Sequence, residues 1–259
     1  LTWRNAPGGM LGDIRTHQLV CPVMNAIAPS LDAPAPPRGT VQVPWPALLG
    51  SLAAQDADAL ERLAMARHVG EGRRIFSRGD SAGSLIALVE GHAACGWWNA
   101  ERGLTAERVL HAPAWLALAG PWVDGQHGCD GVAQTGVLLV ELPLEPLRAM
   151  LTRHPMLALR FSDALAREVG RLENRLHELM HKDAGARLAA WICAQFAGRA
   201  QPAVLRLAER KRDIASQLGM TPETLSRLMR SLSDRGLIAV SGYTLRVLDP
   251  QGLRGLAGA

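Results

Sequence analysis

The chain lacks the residue groupings that hold a metal, span a bilayer or run a catalytic cycle. Its four cysteines, Cys21, Cys95, Cys129 and Cys193, are scattered along 259 residues. Structural zinc wants paired C-x-x-C ligands and an iron–sulfur cluster needs a set of thiolates, so this spacing argues against both and predicts no metal site. Buried, reduced thiols are the expectation instead. No stretch approaches the ~20 uninterrupted apolar residues of a membrane helix, and no charged n-region leads into an apolar core. A soluble, cytoplasmic chain with no membrane partner is therefore expected. Also absent are G-x-S-x-G, H-E-x-x-H, a Walker loop and a Rossmann fingerprint, which argues against an enzyme. Haem stays open, because eight His and four Cys offer axial ligands while nothing in their spacing singles out a pair.

What the chain does contain is a local excess of positive charge. Residues 182–259 hold 12 Lys/Arg against 6 Asp/Glu, whereas residues 1–181 hold 16 against 18. A basic C-terminal third suits contacts to a phosphate backbone, the main source of sequence-independent affinity for nucleic acid. The length allows about two domains with their own cores, and a hydrophobic content of 48% marks the chain as globular.

Four segments are expected. Residues 1–44, with Ala33-Pro34-Ala35-Pro36-Pro37, lack sustained periodicity and read as a loose extension, within which Met24 is an alternative first residue. Residues 45–153 open with a helical pattern from Pro46 to Arg67, with Leu48, Leu49, Leu52, Leu60 and Leu63 on one side. Short apolar runs such as Leu85–Val89 and Val137–Val140 then alternate with frequent glycines, which predicts an antiparallel roll or barrel. Residues 154–181 form a long helix, and residues 182–259 a second domain. The fold class is α+β.

The long helix carries Ala158, Ser162, Leu165, Val169, Leu172, Leu176 and Leu179, spaced alternately four and three. That is a coiled-coil seam, with Leu165, Val169, Leu172, Leu176 and Leu179 as the dimerisation residues. A lone helix could pack part of this stripe on its own roll. Against an ideal zipper, Glu168 and Glu173 of the partner become like-charged neighbours in this register.

Residues 205–248 predict two short helices joined by a bend at Gly219, followed by a β-hairpin around Ser241-Gly242. Thr221 is placed to cap the second helix, Pro222 sits where its missing N–H costs nothing, and Glu223 adds charge to the first turn. Ile214, Ala215 and Leu218, then Leu225, Leu228, Met229 and Leu232, supply the buried sides. Opposite them lie Glu223, Ser226, Arg227 and Arg230. Arg can bond guanine in bidentate fashion, Glu can accept from cytosine N4–H and Ser can do either, so this face has the chemistry to read base edges in a major groove. Arg210, Lys211 and Arg212, with Thr221, Thr224 and Arg230, are the candidates for backbone phosphates.

At Asp213-Ile214-Ala215, Leu218-Gly219, Glu223-Thr224-Leu225-Ser226-Arg227 and Gly236-Leu237-Ile238 the chain resembles the Crp/Fnr regulators. Upstream, Gly72 to Asp80, Leu85 to Gly91 and Thr135 to Pro143 resemble the opening and closing strands of that family's cyclic-nucleotide-binding β-roll. The resemblance implies a homodimer on palindromic double-stranded DNA, with Glu223, Ser226 and Arg227 reading a TTGA-type half-site. Pro222, where the cyclic-AMP receptor branch has a further Arg, favours the Fnr-like half-site. It also implies RNA polymerase as a partner and a sensory β-roll, while the sign of regulation stays open.

Aligned on this family, Ala117-Leu118 stand where nucleotide-binding members place Gly-Glu, and His127-Gly128 where they place Arg-Ser. A buried phosphate needs a fixed cation or several N–H donors, so these departures argue against cyclic AMP as the ligand. The widely separated cysteines depart equally from the Fnr-type cluster. Trp97, Trp115 and Trp122 with His127 are the candidate effector pocket, for a flat or apolar molecule. A cyclic-nucleotide- or haem-responsive regulator, and a sensing module whose winged helix binds protein, are the alternatives.

Overall fold

In the computed structural model of the protein, residues 42–101, 103–123, 125–196, 204–207 and 209–258 are described. The expected loose extension lies, up to residue 41, outside the described residues, as does Cys21.

The helical pattern from Pro46 to Arg67 resolves into three elements, and its last residues, from Met65, are strand and not helix. Helix α1 (Trp45–Leu49) and helix α2 (Ala54–Leu63) are followed directly by strand β1 (Met65–Val69). Leu48, Leu49 and Leu60 are buried in one core cluster, with Leu52 and Leu63 packed against it, so their common side is a shared core and not a shared helix.

Seven further strands complete the roll: β2 (Arg74–Phe76), β3 (Ser84–Glu90), β4 (His92–Asn99), β5 (Gly103–His111), β6 (Ala114–Ala117), β7 (Asp130–Ala133) and β8 (Val137–Pro143). The short helix α3 (Gly120–Val123) interrupts them. They form two four-stranded sheets, ordered β1-β8-β3-β6 and β2-β7-β4-β5, with every pairing antiparallel. The run Leu85–Val89 is continuously apolar because both faces of β3 are covered. Leu85 and Ala87 join the helix-side cluster with Val140 and Leu142, while Ile86 and Leu88 enter the roll interior with Leu139. Gly96, in the long β4–β5 hairpin, is fixed by proximity: a Cβ there would overlap the carbonyl oxygen of Thr105.

Helix α4 (Leu144–Leu151) leads into helix α5 (Pro155–His181), which starts with Pro155 in its first turn. The first three turns of α5 lie on the roll, burying Leu157, Phe161 and Ala164. Beyond them the apolar stripe is solvent-facing in the single chain: Val169 is 54% exposed, Leu172 54%, Leu176 58% and Leu179 42%. Arg108 of β5 holds α5 at this transition through a 2.7 Å ion pair with Glu168. Glu168 also accepts from Arg171 at 2.6 Å. Burial opposes ionisation there, but the hydrogen bonds and charges of Arg171 and Arg108 hold this carboxyl below the usual range. Glu168 is thus ion-paired within its own chain, to Arg108 and Arg171.

The C-terminal domain comprises α6 (Ala184–Phe196), β9 (Val204–Arg206), α7 (Lys211–Gln217), α8 (Pro222–Asp234), β10 (Ile238–Ser241), β11 (Thr244–Val247) and α9 (Pro250–Ala257). One core cluster unites them, built on Leu188, Ile192, Ile214, Leu225, Met229, Leu245 and Leu253. Among the described residues, no helix is long and apolar enough to cross a membrane.

Candidate nucleic-acid interface

Helices α7 and α8 are joined by a tight turn in which Gly219 has φ +61, a left-handed conformation that favours glycine. Thr221 caps α8, its hydroxyl accepting from the Thr224 amide at 3.2 Å, and Pro222 follows in the first turn. Replacing Thr221 by Ala removes that acceptor and is expected to lower stability by about 0.5–2 kcal/mol, read from a denaturant midpoint.

The two faces of α8 separate as the apolar spacing requires. Leu225, Met229 and Leu232 are buried and Leu228 half-buried, whereas Glu223, Ser226, Arg227 and Arg230 are all exposed on the other side. The structure therefore brings together the three residues expected to read bases. Backbone and Thr221 hydrogen bonds at the helix start hold the Glu223 carboxyl below its ordinary range, assisted by the charge of Arg227. Glu223 is accordingly an ionised acceptor at neutral pH.

Of the phosphate candidates, Arg210, Arg212, Thr221 and Arg230 are exposed, and Lys211 and Thr224 are half-buried. Arg212 lies 3.5 Å from the buried carboxylate of Asp213. The wing is a three-stranded sheet, ordered β10-β11-β9. Leu245 and Val247 point into the core while Thr244 and Arg246 remain exposed, as does Tyr243 at the hairpin tip. Strand β9 and helix α9 were not expected from the sequence. The signal for α9 is present in Asp249-Pro250, where the Asp249 carboxylate accepts from Gln251 and Gly252 amides at 3.0 Å.

Arg187 of α6 ties this turn to the long helix. Its guanidinium donates to the carbonyl of Lys182 at 2.6 Å, of Leu218 at 2.9 Å and of Gly219 at 3.4 Å. Sequence reasoning missed it, because nothing in the local pattern distinguishes it from a solvated helical arginine.

A cavity of about 630 Å³ lies where the roll, α5 and the α7–α8 turn meet. Ala117, Leu118, His127 and Gly128, the four positions aligned with nucleotide-contacting residues, all line it. Trp115 lines it as expected, with its indole N–H donating to the Leu48 carbonyl at 3.3 Å. Trp97 and Trp122 do not. Trp97 is on the outer surface of β4 with the Arg78 guanidinium 3.9 Å from its ring centre, and Trp122 packs against the helix-side cluster. The four-residue aromatic pocket is thus reduced to Trp115 and His127: Trp97 follows the register shift after Cys95 and is 48% exposed, against the Arg78 guanidinium. His127 is buried, stacked on Phe76 with ring centres 4.1 Å apart, and burial pushes its pKa down. It is a neutral imidazole at the place of a phosphate-binding cation. Positive charge reaches the cavity instead from Arg108, Arg171 and Arg175. Among the described residues no group of three or more His, Cys, Asp or Glu could hold a metal ion.

Residues 186–256 match the Crp-like helix-turn-helix domain. The transcriptional activator protein Anr of Pseudomonas protegens is 27% identical over 213 residues, covering 80% of this chain and 87% of its own. The fumarate and nitrate reduction regulatory protein of Escherichia coli is 28% identical over 192 residues, covering 73% and 76%. Solved structures share the fold. FixK2 from Bradyrhizobium japonicum superposes with a TM-score of 0.64 at 20% identity, over 76% of this chain and 98% of that one. A CooA mutant from Carboxydothermus hydrogenoformans gives 0.65 at 16% identity, over 84% and 97%. A β-roll, a long helix with a free apolar stripe and a winged helix-turn-helix with an outward polar face thus come together in one chain, which carries a Crp-like helix-turn-helix domain and is similar along most of its length to transcription regulators of the Crp/Fnr type.

Proposed function

We propose that the protein acts as a cytoplasmic homodimer on a palindromic TTGA-like operator, activating transcription through RNA polymerase in response to a signal received by the β-roll. The observation that carries this reading is the exposure of Glu223, Ser226 and Arg227 side by side on a helix whose other face is buried. Arg227 and Glu223 read bases, with Ser226 between them. Arg210, Lys211, Arg212, Thr221, Thr224 and Arg230 contact the flanking phosphates. The stripe from Leu165 to Leu179 pairs two copies, which sets half-sites about one helical turn apart.

The signal is not cyclic AMP in this reading. Leu118 stands where a ribose-binding carboxylate is required and neutral His127 where a phosphate-binding cation is required, and both face the cavity. The cavity takes a molecule with flat or apolar surface against Trp115. Whatever binds must favour the operator-competent arrangement over its alternative, or the equilibrium does not move.

The test is fluorescence anisotropy with a labelled duplex carrying two TTGA half-sites. Arg227→Ala is expected to weaken binding by about 1–3 kcal/mol for each lost guanine contact and to relax discrimination at that base pair. Unchanged affinity and specificity in this variant, alongside capture of a protein partner, would support the winged helix as a protein-docking module instead.

A further inference from the structure

Two thiols of the roll have no part in reading DNA or in pairing two chains. Cys95 on β4 is buried, and Cys129, the residue before β7, is half-buried on the wall of the 630 Å³ cavity. In the β4–β7 register Cys95 faces Gly131, which lies two residues beyond Cys129. Continued by alternation, positions 129 and 131 share a face, which makes Cys129 a diagonal neighbour of Cys95. A side-chain hydrogen bond joins the two thiols, and the Phe76 ring packs on Gly131 beside them. On its other side Cys95 pairs across the ladder with Arg108, the residue that bridges to Glu168 of α5.

We propose that Cys129 and Cys95 form a hydroperoxide-reactive dithiol, with Cys129 the attacking sulfur and Cys95 the resolving one. The Cys129 thiolate attacks the outer oxygen of a hydroperoxide. The O–O bond breaks, the sulfur is oxidised to a sulfenic acid, and the departing alkoxide or hydroxide takes up a proton. The Cys95 sulfur then attacks that of Cys129, forming the S–S bond and breaking S–O. The released hydroxide combines with the Cys95 proton as water. In sum, two thiols and one hydroperoxide give one disulfide, one alcohol or water, and one further water.

The electrostatics divide the roles in this way. A hydrogen bond from Cys95 brings the Cys129 thiol down to about 7 despite its burial, with the Arg108 charge assisting. The same interaction, together with burial, pushes Cys95 up. The low-pKa thiol is the one that reaches the cavity, as a peroxide-reactive sulfur requires. Cys193, the other described cysteine, is pushed up by burial. Cys129 lies outside the paired strand, so it is the partner whose side chain swings to meet Cys95. Oxidation removes the thiolate charge near Arg108 and so alters the group that anchors α5.

The test uses the full-length protein, treated with equimolar hydrogen peroxide and digested without reductant. The expected result is a loss of about 2 Da from the intact chain and a Cys95–Cys129 cross-linked peptide, both reversed by a dithiol. In Cys95→Ala the cross-link disappears and dimedone labels Cys129, while Cys129→Ser gives neither label nor cross-link. Peroxide oxidation of Cys129 in the wild-type chain is expected to run about tenfold slower at pH 6 than at pH 8, following the thiolate fraction. A wild-type chain whose Cys129 stays reduced, is oxidised without cross-linking, or cross-links instead to Cys193 or Cys21 overturns the proposal. The wild-type map needs no variant to fold. No outcome depends on operator binding, so it stands or falls separately from the DNA reading.

Discussion

A chain carrying Val169→Asp and Leu176→Asp is expected to lose specific operator binding while both of its cores remain folded. In the single chain these side chains are 54% and 58% exposed, so charging them removes little native packing. In a paired seam the same positions face each other, and four carboxylates would enter an apolar interface with no cation to meet them. The dimer is expected to dissociate into monomers holding one half-site each. Specific binding exceeds non-specific binding by ~10³–10⁷, and most of that margin requires both half-sites. A loss of about three orders of magnitude or more in anisotropy, with a halved mass by light scattering, is the predicted result. A variant that stays dimeric and binds the operator as before would place the dimer contact elsewhere on the surface.

The second large effect is expected from Leu225→Ala. Leu225 is 0% exposed and belongs to the cluster that also buries Leu188, Ile192, Ile214 and Leu245. Truncating a leucine in such a site costs about 2–5 kcal/mol, a large share of the ~5–15 kcal/mol that holds an ordinary domain together. The C-terminal domain should melt first, leaving the roll and its own clusters intact. Trp191 on α6 packs against this core and supplies a fluorescence probe for that transition. Ser226→Ala, one residue along and exposed, is the control and is expected to shift stability by no more than about 0.5 kcal/mol.

The reading helix was legible in the sequence because its determinants are local. Cap, bend, buried stripe and outward face lie within a few turns of one another, and each acts at helical spacing. The apolar stripe of the long helix was legible for the same reason. Long-range pairing was not. Strand β9 is three residues long and becomes a strand only by joining β11. The pattern from Pro46 to Arg67 misled because residues on α1 and α2 enter one core and so mimic a single amphipathic helix. Trp97 and Trp115 look equivalent as aromatic residues in a β-domain, yet only Trp115 faces the cavity. The cations of the cavity were equally hidden. Arg171 and Arg175 lie outside the heptad stripe, yet both line the cavity. The proximity of Cys95, Arg108 and Cys129 depends on strand register, which spacing along the chain does not specify.

The three carbonyls held by Arg187 have a mechanical consequence. One belongs to the end of α5 and two to the turn ahead of α8, so a single planar cation clasps the stalk and the reading head at once. The joint after Lys182 is therefore not a free swivel. Torque applied to the stalk passes into the head through that clasp, and the head turns as a crank fixed to its shaft. Lysine, with one compact ammonium in place of a rigid fork, does not reproduce this grip.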